Sequence, residues 1–300
     1  TIAANTPADT YTYVIVATDN NSKVTKEATY TIKIERAKTA NAGASDKTYN
    51  GTNQTGVTGT NVTWTGTTSA IDAGTYTANA TPDGNHAWSD GTTNAKAITW
   101  KINPKSVAVT WGTTTTFTYN GQPQAPTVSA TSGITGETIN VTRTTGTNAG
   151  SHTSTASISS VTGGRARKEN YTLTGNTKSF TINKVAATNP TLKTTTAKYD
   201  KNAHAITVSG GSGGTIYYRT STDNKTWGSW STTKPTRTSI GTTYVQAYVV
   251  GDGNHTNTSA TGSATITITK PTAADVSYTP SDSSWKVENV KQALDALYNR

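Results

Sequence analysis

The chain of 300 residues has no cysteine, no methionine and only two phenylalanines. Without cysteine there are no disulfides and no thiolate metal sites. Only 32% of the residues are hydrophobic, and large aliphatic side chains are scarce, so any core must be thin and a helical bundle fits poorly. Charged residues are sparse too, at 14%. Disorder normally joins low hydrophobicity to high net charge and few aromatics, and the 14 Tyr and 7 Trp speak against it. No stretch reads as a membrane span or a signal peptide. Threonine rather than methionine stands first, which points to a numbering that begins after processing or inside a longer chain.

What the chain does have is Thr, Gly, Asn and Ala in abundance. Thr, Val, Ile, Tyr and Trp favour strands, whereas Gly, Asn and Asp favour turns. The composition therefore predicts an all-β chain of many short strands. Thin two-sheet sandwiches, with a core slab about 10 Å thick, suit it. The net charge of +9 makes a nucleic-acid partner worth testing. Nucleic-acid surfaces concentrate cations on one face and interleave stacking rings. Here the cations are spread through every segment, and the one dense group, Arg165-Ala166-Arg167-Lys168, follows Gly163-Gly164 in what reads as an exposed, protease-sensitive hairpin loop. No nucleic-acid partner is expected, and the charge is left to diffuse attraction toward anionic cell-wall polymers.

Three landmarks recur in order, which is the mark of a repeat. The first is an aromatic residue before a turn, at Tyr49-Asn50-Gly51, Tyr119-Asn120-Gly121 and Tyr199-Asp200-Lys201. The second is a small-residue turn leading into a strand, at Asp72-Ala73-Gly74-Thr75-Tyr76, Asn148-Ala149-Gly150-Ser151-His152 and Ile240-Gly241-Thr242-Thr243-Tyr244. The third is a closing strand such as Ile98-Thr99-Trp100-Lys101-Ile102, whose period-2 alternation puts Ile98, Trp100 and Ile102 on one face. Thr81-Pro82-Asp83-Gly84-Asn85-His86 and Gly251-Asp252-Gly253-Asn254-His255 are near copies that read as tight loops between the last two strands of a unit. These landmarks delimit a half-unit over 1–36, repeats over 37–104, 105–184 and 185–270, and a tail over 271–300. Linkers of two or three residues, as at Pro104-Lys105, predict a stiff, elongated rod.

The two ends depart from the pattern. Asp9-Thr10-Tyr11 aligns with Gly74-Thr75-Tyr76, so the sequence opens halfway through a unit. Either it is a fragment of a longer polypeptide, the simpler reading, or a neighbouring subunit supplies the missing strands by strand addition. In the tail, Val287, Val290, Leu294 and Leu297 fall at helical spacing and predict an amphipathic helix of about four turns, whose apolar stripe needs a partner.

The run of Tyr49-Asn50-Gly51, Gln54-Thr55-Gly56-Val57, Asp72-Ala73-Gly74-Thr75-Tyr76, Trp88-Ser89-Asp90-Gly91 and Ile98-Thr99-Trp100-Lys101-Ile102 resembles the bacterial immunoglobulin-like, mostly-β glycine-rich (MBG-type) repeats of Firmicutes surface proteins. The other repeats resemble this group more loosely, because both lack the Trp-Ser-Asp-Gly segment, and together the likeness covers 1–270. The tail from Ala274 to Tyr298 resembles endings of Firmicutes pilin-like surface proteins and of phage fibre or head-fibre proteins. The absence of cysteine is similar to that of many secreted Gram-positive proteins. The resemblance implies tandem immunoglobulin-like β-sandwiches in a non-enzymatic stalk or fibre segment at the extracellular bacterial cell surface. A carbohydrate-binding adhesin module and a phage fibre or decoration protein of the virion are the alternatives. Its partners would be other subunits or the rest of a longer surface polypeptide.

Chemistry finds little purchase. Of the four histidines, His86 and His255 sit in the copied loops and His152 and His204 elsewhere, so they do not converge and no catalytic residue is expected. Asp83, Asp90, Asp223 and Asp252 are isolated, without the alternating acid ladder of a calcium loop, so neither metal nor cofactor is expected and turn-fixing is their predicted role. A self-formed Lys–Asn isopeptide or Thr–Gln ester could use Lys47 or Gln54 if a buried acid stood beside them. Tyr217, Tyr218, Trp227 and Trp230 crowd together and are the candidate contacts for a cell-wall or host glycan. Adjacent strand residues face opposite ways, so one of Tyr217 and Tyr218 must belong to the core.

Overall fold

In the computed structural model the described residues are 3, 6–165, 167–275 and 287–298. Ala166 of the basic loop, and Val276–Lys286 of the tail pattern, lie outside them. The chain is mostly β, with one short C-terminal α-helix. It forms two compact units, one of Thr1–Thr113, Pro126–Thr144 and Thr155–Lys178, the other of Thr114–Ala125, Thr145–Ser154 and Ser179–Arg300. The division runs through the stretch 105–184 rather than between repeats.

In the first unit, Thr10–Thr18 and Thr25–Lys33 pair antiparallel as a two-stranded sheet around a turn in which the Asp19 carboxylate accepts the N–H groups of Asn21 and Ser22. Its alternation sets Tyr13 and Ile15 with Tyr30 and Ile32 on one face. Tyr13, Ile15 and Tyr30 remain about half exposed.

The next sheet has the order Lys47–Thr48, Lys96–Asn103, Gly74–Pro82, Val62–Gly66, with the first pair parallel and the others antiparallel. The predicted face of the closing strand holds. Trp100 and Ile102 are buried and Ile98 half-buried, whereas Thr99 and Lys101 are exposed. A small pair, Asn41–Ala44 with Val57–Thr60, contributes Val57 to the same core. Gly56 is required there, because a Cβ on it would fall 1.8 Å from the Trp100 ring, whose Nε1–H donates to the Thr67 carbonyl at 2.8 Å.

That core does not stop at the repeat boundary. Tyr49, Ala78, Trp100 and Ile102 form one cluster with Val107, Ile139, Val161 and Tyr171 of the following repeat. The latter come from Lys105–Trp111, which pairs parallel with Tyr171–Thr174, and from Thr138–Arg143, which pairs antiparallel with Gly150–Thr162.

In the second unit, Thr116–Thr118 pairs parallel with the end of Thr177–Asn183, and Phe117 meets Phe180 edge to face at 5.8 Å. A four-stranded sheet follows in the order Thr195–Lys198, Ala264–Thr269, Gly241–Gly251, Gly214–Ser221. Val245, Ala247, Ile266, Ile206 and Tyr218 fill its core. The parallel pairing of an early strand with the closing strand thus recurs at Lys47–Thr48, Thr116–Thr118 and Thr195–Lys198.

The C-terminal helix is shorter than its apolar spacing predicts, running over Val290–Tyr298. Asn289 explains the late start: its side chain accepts the Gln292 N–H at 2.9 Å, a cap that sets Val287 outside the helix. Leu294 and Leu297 stay exposed. Among the described residues no helix is long and apolar enough to cross a membrane.

Candidate functional site

The four residues expected to contact a glycan occupy both sides of one sheet. Register opposes Tyr218 to Ala247, Tyr217 to Tyr248 and Arg219 to Gln246. Tyr218 is the core member of its pair, and burial raises the pKa of its hydroxyl. Tyr217, Tyr248, Arg219 and Gln246 share the opposite face.

A loop delivers Trp227 and Trp230 onto that face. The Asp223 carboxylate accepts the N–H groups of Thr226 and Lys225 at 2.7 and 2.8 Å and the Ser221 hydroxyl at 2.8 Å, bonds that hold it far below the usual carboxylate range. The return of the loop is fixed by a reciprocal backbone pair between Tyr218 and Ser231 at 2.7 and 2.8 Å. Trp230 consequently meets the Tyr248 ring at 4.5 Å, and the Arg219 guanidinium lies 4.6 Å from Trp230 and 5.0 Å from Trp227. Arg219 also donates from Nε and Nη2 to Gln246 Oε1, at 2.9 and 2.6 Å. Cation and rings satisfy one another, and the arrangement clasps the loop to the sheet. Tyr248 and Gln246 went unnoticed in the sequence, where the alternation of Tyr244-Val245-Gln246-Ala247-Tyr248 was the available signal.

No protein-family model matches this chain, and no curated protein matches it either.

A second arrangement occurs three times, where consecutive repeats meet. An asparagine of each following unit, in the two copied loops and in the turn Lys168–Asn170, accepts a backbone N–H from the small-residue turn of the preceding unit. Asn85 Oδ1 takes Ala8 N–H at 3.1 Å, Asn170 takes Ala73 N–H at 2.7 Å, and Asn254 takes Ala149 N–H at 2.8 Å. Asn170 and Asn254 also donate, to the Asp72 and Asn148 side chains, which Pro7 at the first joint cannot reciprocate. Each turn is braced by a ring four residues beyond the carbonyl it meets: Tyr11 and Tyr76 donate to the carbonyls of Pro7 and Asp72, and His152 Nε2 lies 2.7 Å from the Asn148 carbonyl. Linker cations add to two joints, with Arg36 and Lys184 donating to the carbonyls of Asp83 and Asp252 at 3.0 and 3.1 Å, whereas Lys105 donates to Gly133 of its own repeat at 3.2 Å.

The carboxylates of the copied loops serve the loops themselves. Asp83 contacts His86 Nδ1 at 2.5 Å and accepts the Asn85 N–H, while Asp252 contacts His255 Nδ1 at 2.7 Å and accepts the Asn254 N–H. Those bonds lower both acids. Asp90 does the same with Thr92, and His204 pairs with Asp200, which falls to about 2. Among the described residues no group of three or more His, Asp and Glu could hold a metal ion. Lys47 donates to the Ser45 hydroxyl, and Gln54 donates to the Thr48 carbonyl just as Gln124 does to Thr118, so both stabilise their own turns.

The joint between 37–104 and 105–184 holds one more residue, which the sequence reading passed over. Glu137 is buried, with its two oxygens 2.6 Å from the Tyr49 hydroxyl and 2.5 Å from that of Tyr171. The two rings meet edge to face at 5.4 Å. Burial pushes the carboxyl up, but the bonds from Tyr171, Tyr49 and the Arg165 N–H outweigh it and keep the group below its ordinary value. Burial, together with the bond to Glu137 and its charge, pushes Tyr49 up to about 12 and raises Tyr171 as well. The sequence signal was faint: one acid in a glycine-rich loop, opposite Gly163-Gly164, where a Cβ on Gly164 would lie 2.7 Å from the Glu137 side chain.

Proposed function

We propose that this chain is a non-enzymatic structural segment of an extracellular bacterial surface protein, a stalk or fibre built from tandem immunoglobulin-like sandwiches over 37–104, 105–184 and 185–270. The observation that carries the reading is the thrice-repeated clamp, in which an asparagine of the following unit takes a turn N–H of the preceding one, joined at two of the three joints by a linker cation. A protein that must transmit force or hold distance needs its repeats fixed to one another, and the three asparagine clamps supply that. The parallel edge pairing that recurs in each repeat, with a two-sided thin core, is the support for the sandwich assignment.

Partners on this reading are further subunits or the remainder of a longer surface polypeptide. Arg219 already occupies one face of Trp227 and of Trp230, so the clasp favours the structural reading over the adhesin one. A phage fibre would use the same mechanics in a virion.

Pulling the chain from its two ends in a force-extension experiment tests the proposal. Stepwise unfolding is expected, each step releasing ~3.4 Å per residue of the block that opens, so roughly 25 nm where a repeat of about 70 to 85 residues opens alone and about twice that where two open together. Extension at forces no greater than those of an unstructured polypeptide would refute a load-bearing role.

A further inference from the structure

The joints differ in chemistry. At the joint of 105–184 with 185–270, Tyr119 meets His255 edge to face at 5.4 Å, the counterpart of the Tyr49–Tyr171 contact. Among the described residues no carboxylate is bonded to both of those rings. The loop corresponding to the one that carries Glu137 reads Gly210-Gly211-Ser212-Gly213-Gly214, and a Cβ on Gly213 would lie 2.7 Å from the His255 ring, so main chain occupies that space. His255 turns to Asp252 of its own loop instead. At the joint ahead of 37–104, His86 likewise pairs with Asp83 within one loop. In both cases the carboxylate bonds to a histidine of its own loop rather than to a side chain of the preceding repeat.

Glu137 does the opposite. It accepts from Tyr49 of the preceding repeat and from Tyr171 of its own, in a site where Tyr49 is 1% and Tyr171 4% exposed. Charge-assisted bonds of this length are the strong ones, and they gain strength in a low-dielectric surround. Arg165 N–H adds a third, longer bond, and Asp72, which faces the same region, is held by Asn170 and Arg167. The cluster continues into the hydrophobic core that crosses the boundary.

We infer that Glu137 is a lock, a buried carboxylate that couples 37–104 to the part of 105–184 that shares its core, a tie that the joints at His86 and His255 lack. This rests on the stalk reading only for what the joints are used for. Failure of the lock would leave the force-extension result standing.

Hydrogen exchange on the full chain tests it, read at matched amides. Ala73 N–H reports on the locked joint and Ala149 N–H on the Tyr119–His255 joint, since each is held by the loop asparagine. In Tyr49→Phe and in Tyr171→Phe, which keep the rings but remove one hydroxyl each, protection of Ala73 N–H should fall by about tenfold or more, with that of Ala149 N–H within about twofold of wild type. Glu137→Gln should weaken the Ala73 amide in the same selective way while preserving shape. Unchanged protection at Ala73, showing that ring packing alone holds the joint, would overturn the inference. So would an equal loss at both amides, which would mark a general destabilisation.

Discussion

At the scale of single residues, the chemistry of the chain is concentrated in a few buried polar groups, and Tyr49 is the one most open to measurement. Its folded value of about 12 lies above the ordinary 10.0 of an exposed tyrosine. A group whose folded value is raised contributes its stability below the unfolded value and loses it as pH climbs toward the folded one. Unfolding free energy should therefore hold steady up to about pH 10 and decline between about 10 and 12. The decline should shrink in Tyr49→Phe, with phenolate absorbance and denaturant titration as the readouts. On the acid side the sign is reversed. Glu137 is lowered, so its contribution is present above the ordinary carboxylate value and is lost only as pH falls through the depressed one. These residues were the least legible in the sequence. A lone glutamate in a glycine-rich loop looks like a solvated charge until the fold brings two hydroxyls to it from 88 and 34 residues away.

At the scale of elements, legibility followed periodicity. The closing strand around Trp100 shows its buried face through alternation alone, and the copied loops of Asp83 and Asp252 show their turns through Gly and Asn. Two-residue strands such as Lys47–Thr48 are too short to carry a period and exist because a longer neighbour offers them an edge. The helix was overextended because apolar spacing ignores the Asn289 cap. The aromatic clasp was half legible. Trp227 and Trp230 stand out, but Tyr248 and Gln246 join them only through cross-strand register. The hairpin Thr10–Lys33 makes a sharper case. With Tyr13, Ile15 and Tyr30 about half exposed and two strands only, it has little buried area to hold it. Its strand amides should exchange at least about a hundredfold faster than those shared by Gly74–Pro82 and Lys96–Asn103. Comparable protection in both would show that the hairpin's stability comes from something other than apolar burial.

At the scale of the whole molecule, sequence landmarks and compactness divide the chain differently. The landmarks mark a repeat at 105–184, yet its parts distribute between two compact units. The physical reason on the first unit's side is the core that passes from Trp100 and Ile102 to Val107 and Ile139 without a break. Local patterns place repeat boundaries where the turn residues are, whereas cooperativity follows buried contact. Calorimetry should accordingly give two principal transitions, one for each unit, rather than one per repeat. Three independent transitions of similar enthalpy would mean that the continuous core does not couple the repeats it joins.

The asparagine clamp has a consequence for how such a chain can change its length. Its donor is a main-chain N–H, which every residue except proline possesses. The turns at Ala8, Ala73 and Ala149 therefore present the same hydrogen to whatever follows, whichever side chains surround them. Only the incoming loop must bring a particular residue. A unit carrying that asparagine at one end and an ordinary turn at the other is an interchangeable part. Copies can be inserted, lost or reordered by duplication or recombination, and each new boundary would find its donor already in place.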